Sequence, residues 1–129
     1  VATSRTVPFG HAAIDVSIPD GFRVVDVETS QPTGHPDPLE RAEQSLANPI
    51  GSPLLSELAA DAASVVIAVT DATRSCPDSL LLPPMLRQLH ATGITPEQVT
   101  IIIAIGTHRR STEGEKRDKL GDDIVDRYH

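Results

Sequence analysis

The sequence predicts a layered α/β fold with a parallel βαβ core, and three observations carry that prediction. The stretches SVVIAVT (64–70) and VTIIIAIG (99–106) are continuous apolar runs of strand length, the pattern of strands covered on both faces. Between them, DSLLLPPMLRQLHATG (78–93) is helical by composition and ends at Gly93, a left-handed terminator. A strand, a helix of ample length and a second strand require parallel pairing and a right-handed crossover.

The remaining elements follow in chain order. In HAAIDVSIP (11–19), Ala12, Ile14, Val16 and Ile18 alternate with Ala13, Asp15 and Ser17, the period of two of a half-buried strand. Pro19-Asp20-Gly21 is turn chemistry, and FRVVDVE (22–28) returns as a second strand, giving an N-terminal strand hairpin. The polar TSQPTGHPD (29–37) has no periodicity and reads as a linker. Asp37-Pro38-Leu39-Glu40 starts a helix, with Asp37 as cap, Pro38 at the first position and Glu40 completing a capping box. That helix should stop before Pro49, and Ser52-Pro53 should start a short second one through LLSELAADA. Pro83-Pro84 must kink or restart the long helix. Thr95-Pro96-Glu97-Gln98 is a small turn, and Thr112 with Glu115 caps a last helix, STEGEKRDKL, closed by Gly121.

Bulk properties narrow the function. A chain of 129 residues has the size of one domain. With only 2% aromatic residues its core must be built from Ile, Leu, Val and Ala. The net charge of −7 argues against a nucleic-acid partner, since that needs clustered Lys and Arg. A single cysteine, Cys76, staples nothing internally and fits a reducing compartment. No apolar run approaches the roughly 20 residues of a membrane span. A cytoplasmic location and no membrane partner are therefore expected.

Both apolar runs end in charge: VVIAVT leads to Asp71 and Arg74, and IIIAIG leads to His108, Arg109 and Arg110. In open α/β sheets ligands bind beyond the carboxyl ends of the strands, so both endings belong to one rim. Arg74 offers a planar fork for a carboxylate or phosphate; its bland alternative is an ion pair with Asp71. Asp71 is expected to orient Arg74 or a cofactor hydroxyl. Thr73 could donate hydrogen bonds to an anion or simply cap a helix. His108 carries an imidazole, the side-chain type suited to proton exchange near neutral pH, although a lone loop histidine is commonly just a surface residue. Ser111 and Thr112 read as caps, Arg109 and Arg110 as a solvated pair able to meet a phosphate, and Cys76 as a small packing residue. His11, His35, His90 and His129 lack ligand spacing, so no metal site is assigned in this chain. Gly106 stands alone without a lysine at Walker spacing, and no dinucleotide-binding glycine pattern occurs.

Three motifs, NPIGSPLLSELA, TDATRSCP and GTHRRST, in that order, closely resemble the amino-terminal domain of the lactate racemase family, the nickel-pincer-nucleotide-dependent racemases and epimerases of 2-hydroxy acids. The likeness runs from about the Asp37 helix to GDDIVDRYH, more loosely over the first thirty-odd residues. It implies a Rossmann-like domain in which Asp71 and Arg74 form the family's active-site Asp-x-x-Arg pair, with Arg74 on the substrate carboxylate and Asp71, Thr73 and Arg74 toward the cofactor. It also implies that His108 is the first of two catalytic histidines, removing the hydroxyl proton while the cofactor takes a hydride from C2. Departures occur at Ala72, where lactate racemase itself carries histidine, and at Ser75 and Arg110, where prolines are common; these put the substrate in question more than the chemistry. The resemblance makes residues 1–129 the partial, truncated amino-terminal catalytic domain of a longer enzyme. The second histidine, the cofactor-attaching lysine and the nickel-binding histidine are expected beyond His129. Alone, the fragment should carry half a site, show no turnover and self-associate through uncovered apolar surface. The competing reading is a stand-alone, non-catalytic anion- or nucleotide-binding module.

Overall fold

A computed structural model describes residues 3–30 and 33–129, and the chain divides into two compact units, residues 1–33 and 34–129. In the first, β1 (Thr3–Phe9) and β2 (Ala12–Ile18) form an antiparallel hairpin with Phe9 opposite Ala12. Its two-residue loop is Gly10-His11; Gly10 has φ 60° and His11 is not among the positive-φ residues, as a type II′ turn requires. The register puts Val7 opposite Ile14 and Thr6 opposite Asp15, whose side chains hydrogen-bond at 2.5 Å.

The hairpin thus differs from the one expected. FRVVDVE forms no strand; β2 pairs with the preceding residues, because a glycine-led two-residue loop closes a hairpin more tightly than Pro19-Asp20-Gly21 can. Asp26 is nonetheless tied to β1 by a fork of bonds from Arg5 Nε and Nη2, at 2.9 and 2.8 Å. The expected half-burial of β2 is also absent, since all but Ile18 are exposed. The centre of the linker, Gln31-Pro32, lies outside the described residues.

The second unit begins with α1 (Pro38–Ala47), where Asp37 Oδ1 accepts from Glu40 N at 2.9 Å. Glu40 does not close the box; its side chain accepts instead from Gln44 one turn on. The helix α2 (Leu55–Ala59) is shorter than expected and starts after Leu54, whose N–H is taken by Glu57 at 2.8 Å. Strand β3 (Val65–Thr70), helix α3 (Asp78–Ala91), a 3₁₀ turn (Pro96–Gln98) and strand β4 (Val99–Ala104) then form the βαβ core. The strands are parallel and adjacent, from Val65 opposite Val99 to Thr70 opposite Ala104.

Helix α3 runs unbroken through Pro83 and Pro84. Each proline removes a backbone donor and crowds the preceding turn, but Leu82, Pro84, Leu86 and Leu89 are all buried. Packing therefore holds the helix where local propensity would end it. Leu82, Leu89 and Val99 are the largest fully buried side chains, each contributing about 1.5–3 kcal/mol. Helices α1, α2 and α4 (Glu113–Leu120) all pack on α3.

Coverage of both sheet faces does not hold among the described residues. Ile67 and Val69 are 8% and 6% exposed, whereas Val66 and Ile102 are 61% and 49% exposed. A final helix, α5 (Asp122–Arg127), was not anticipated. Its aspartates suit a helix start, and Arg117 of α4 stitches it in place by bonds to Asp122 and Asp126 at 3.1 and 2.7 Å. The His129 carbonyl then accepts from Ile101 N at 2.6 Å, beside β4. No helix of the described residues is long and apolar enough to cross a membrane.

This asymmetry is measurable in the 129-residue chain by urea unfolding. Leu82→Ala should cost about 2–5 kcal/mol, and Val66→Thr on the open face should change stability by less than about 0.5 kcal/mol. Equal costs would mean that the outer face is covered in solution.

Candidate functional site

The level ends of β3 and β4, Thr70 beside Ala104, launch both charged loops from the same edge. After β3 the chain turns at once, with Arg74 N donating to Asp71 O at 3.1 Å. After β4 it folds back through a turn closed by His108 N donating to Ile105 O at 2.9 Å. That turn needs Gly106, whose φ is 57°, a conformation costly to a residue with a Cβ. The two turns bring His108 Nδ1 within 2.5 Å of Asp71 Oδ2.

Asp71 is only 5% exposed, so its charge must be satisfied by neighbours. Oδ1 accepts from Thr73 Oγ1 at 2.7 Å and from Thr73 N at 3.2 Å, a local Asx-type arrangement, and Oδ2 accepts from His108. The Thr73 hydroxyl first, and His108 second, hold the Asp71 carboxyl down at about 2. The carboxylate is ionised at any neutral pH and can only accept. His108 therefore donates from Nδ1, and in the tautomer that does so Nε2 is the ring nitrogen with the lone pair. Among the described residues Nε2 has no hydrogen-bond partner, and the His108 side chain is 45% exposed.

The ion pair between Asp71 and Arg74 weighed from the sequence does not form; only their backbones are bonded. Asp71 orients His108 instead. The Arg74 guanidinium is exposed and has no ion-pair partner among the described residues. Arg109 is engaged in a fork to Glu115 at 2.9 and 2.7 Å, so it is not free to meet a phosphate. Arg109 and then the Thr112 backbone hold the Glu115 carboxyl at about 2. Thr112 caps α4, accepting from Glu115 N at 3.3 Å. Ser111 and Arg110 instead line a cleft of about 330 Å³ floored by Ile101, Ile103 and Ile105.

Among the described residues the unengaged groups on the rim thus include Arg74, the Arg110 guanidinium, His108 Nε2 and the acceptor lone pairs of Thr73. They suit an anionic ligand with a proton to exchange, a carboxylate or a phosphate-bearing cofactor. Asp71 suits the role of holding His108 better than that of meeting a cofactor hydroxyl, since both its oxygens are engaged. Among the described residues no group of three or more His, Cys, Asp and Glu side chains could hold a metal ion. One contact escaped the sequence reading: Lys119, near the end of α4, reaches the 71–77 loop. A bond between residues so far apart in the chain leaves no local signal.

Comparison with known proteins identifies the family of this chain. The model of the lactate racemase N-terminal domain matches residues 9–129. Lactate racemase of Lactiplantibacillus plantarum is 42% identical over 87 residues, 67% of this chain and 20% of that protein. Lactate racemase of Thermoanaerobacterium thermosaccharolyticum is 29% identical over 123 residues, 93% of this chain and 28% of that protein. The structure of its apoprotein superposes with a TM-score of 0.77 at 28% identity, covering 98% of this chain and 29% of the other. The chain therefore spans under a third of the length of these relatives. By matched motifs, fold and sequence it belongs to the lactate racemase N-terminal domain family.

Proposed function

We propose that this chain supplies one catalytic half of a nickel-pincer-nucleotide-dependent racemase or epimerase of 2-hydroxy acids. The observation that carries the reading is the 2.5 Å bond from His108 to a buried, doubly anchored Asp71. A carboxylate that fixes the Nδ1–H tautomer makes Nε2 a positioned base. Arg74 binds the substrate carboxylate with two parallel hydrogen bonds and so fixes C2 beside the ring. His108 Nε2 takes the C2 hydroxyl proton as the C2–H bond breaks, leaving a planar 2-oxo acid held by Arg74, and returns the proton to the oxygen when the C2–H bond re-forms on either face. When bound, the nickel-pincer nucleotide supplies the hydride acceptor and donor for C2. A non-catalytic anion-binding module would use Arg74 equally well but leaves the Asp71–His108 pair without a task.

The primary test is racemisation of a panel of single-enantiomer 2-hydroxy acids, lactate included, by the full-length protein loaded with cofactor. No racemisation of any member would end the proposal. In an active protein, His108→Gln removes the base but keeps size and polarity, so turnover should fall by roughly 10²–10⁴-fold with little change in substrate binding. Arg74→Lys cannot reproduce the fork and should mainly weaken binding, by about 1.5–3 kcal/mol. Steady-state kinetics with each enantiomer, at equal cofactor loading, separates the two. Near-normal turnover in His108→Gln would remove that residue from the mechanism.

The same pair sets an acid limit on the fold. The Asp71 carboxyl, at about 2 when folded, lies below the ordinary value of about 3.9. Its contribution is fully present above about pH 4 and is lost as the pH falls through about 2. Glu115, also held at about 2, adds to the same loss. Urea midpoints should therefore drop between about pH 4 and about pH 2, and less so in Asp71→Asn. An Asp71→Asn variant with an unchanged acid slope would contradict this account.

A further inference from the structure

The loop that carries Arg74 is held from below by a residue the mechanism does not use. Lys119 Nζ donates to Arg74 O at 2.6 Å and to Cys76 O at 2.8 Å, and pairs with Asp78 Oδ2 at 3.0 Å. An ammonium has three donors, and here each has an oxygen. The pair is well shielded, with the Lys119 and Asp78 side chains 10% and 7% exposed. Asp78 Oδ2 also accepts from Thr70 Oγ1 at 2.9 Å, at the end of β3. The ends of β3 and α3 and the intervening loop thus converge on one ammonium from α4.

We infer that Lys119 is a positioning residue for Arg74, an inference that rests on reading this rim as the 2-hydroxy-acid site. Neutralising Asp78 alone would not require the two carbonyls. Taking the carbonyl of Arg74 itself fixes the peptide plane from which the guanidinium springs. Helix α4 starts at Glu113, a short segment after the His108 turn, and is capped by Thr112. Through Lys119 one rigid helix therefore sets the spacing between the arginine loop and the histidine loop. A misplaced binding group weakens a bound substrate without any lost contact to it.

The experiment uses the full-length protein and combines hydrogen–deuterium exchange with kinetics on D- and L-lactate. Lys119→Met should speed amide exchange across residues 72–78 while leaving β4 protected; unchanged exchange in that loop would overturn the inference. In kinetics it should raise KM by about tenfold with kcat changed by less than about threefold. In an Arg74→Lys background it should add less than about twofold to KM, because it acts through Arg74. Fully additive effects would mean a general structural role and overturn the inference. Asp78→Asn removes the charge but leaves both carbonyls to Lys119, so KM should stay within about twofold; a rise matching Lys119→Met would overturn it too. If Lys119→Met does not fold, Lys119→Arg keeps the charge but not the three-way geometry. It should raise KM in the same direction, and an unchanged KM would count against the inference. A wild-type protein that racemises no 2-hydroxy acid sinks the racemase reading, while exchange in the 72–78 loop still decides whether Lys119 holds it.

Discussion

The candidate site depends on a buried negative charge that cannot be left alone. Asp71 is 5% exposed, and an unpaired carboxylate there would cost several kcal/mol. Its oxygens are met from two directions, by Thr73 within its own turn and by His108 from the next strand's loop. The first partner is local and would form in any sequence with this turn. The second exists only if β3 and β4 lie parallel, adjacent and level, as the Thr70–Ala104 register makes them. Satisfying Asp71 thus ties the chemistry of the rim to the topology of the sheet. The turn at Gly106, with φ 57°, is the small local concession that lets His108 reach back.

How much of this was legible in the sequence follows from how local each determinant is. Both core strands, the long helix and the caps at Asp37 and Thr112 rest on nearby residues, and the structure has them where the sequence put them. Three readings failed because the apolar or proline pattern of a segment did not decide its outcome. FRVVDVE follows turn chemistry and reads as a returning strand, but β2 finds its partner across the tighter Gly10-His11 loop. Pro83-Pro84 should break a helix, yet four buried side chains on α3 hold it continuous. The runs in β3 and β4 suggested two covered faces, but among the described residues Val66 and Ile102 look outward. Apolar content shows that a strand can be buried twice; it does not supply the second layer.

The two charged strand endings were legible in the sequence, and the bonds between them were not. Asp71, Arg74 and His108 could be named because charge at the end of a buried strand is unusual. Which of them bond to each other could not be read, and the expected Asp71–Arg74 pair gave way to Asp71–His108. The reason is geometric: the turn after β3 spends the Asp71 backbone on Arg74 N and its Oδ1 on Thr73, leaving Oδ2 for the neighbouring loop. Arg74 is released by the same arrangement. A guanidinium free of internal partners is costly to maintain only when buried, and Arg74 is exposed.

The departures from the family pattern sit outside this wiring. Ala72 has no side-chain polar group, and Ser75, exposed, makes no side-chain hydrogen bond among the described residues. Arg110 faces the cleft along β4, and only its backbone carbonyl is engaged, by Arg109 at 3.0 Å. Among the described residues no side chain of the three bonds to Asp71, Thr73 or His108, so none of them supplies the charge that the fold must satisfy. Such positions are free to vary in size and charge where a ligand would lie, while Asp71 and His108 are bound by the physics of burial. A difference at Ala72 or Arg110 therefore alters the surroundings of the Asp71–His108 pair and leaves the bond between them intact. The constraint that makes the pair rigid is also what lets its surroundings diverge.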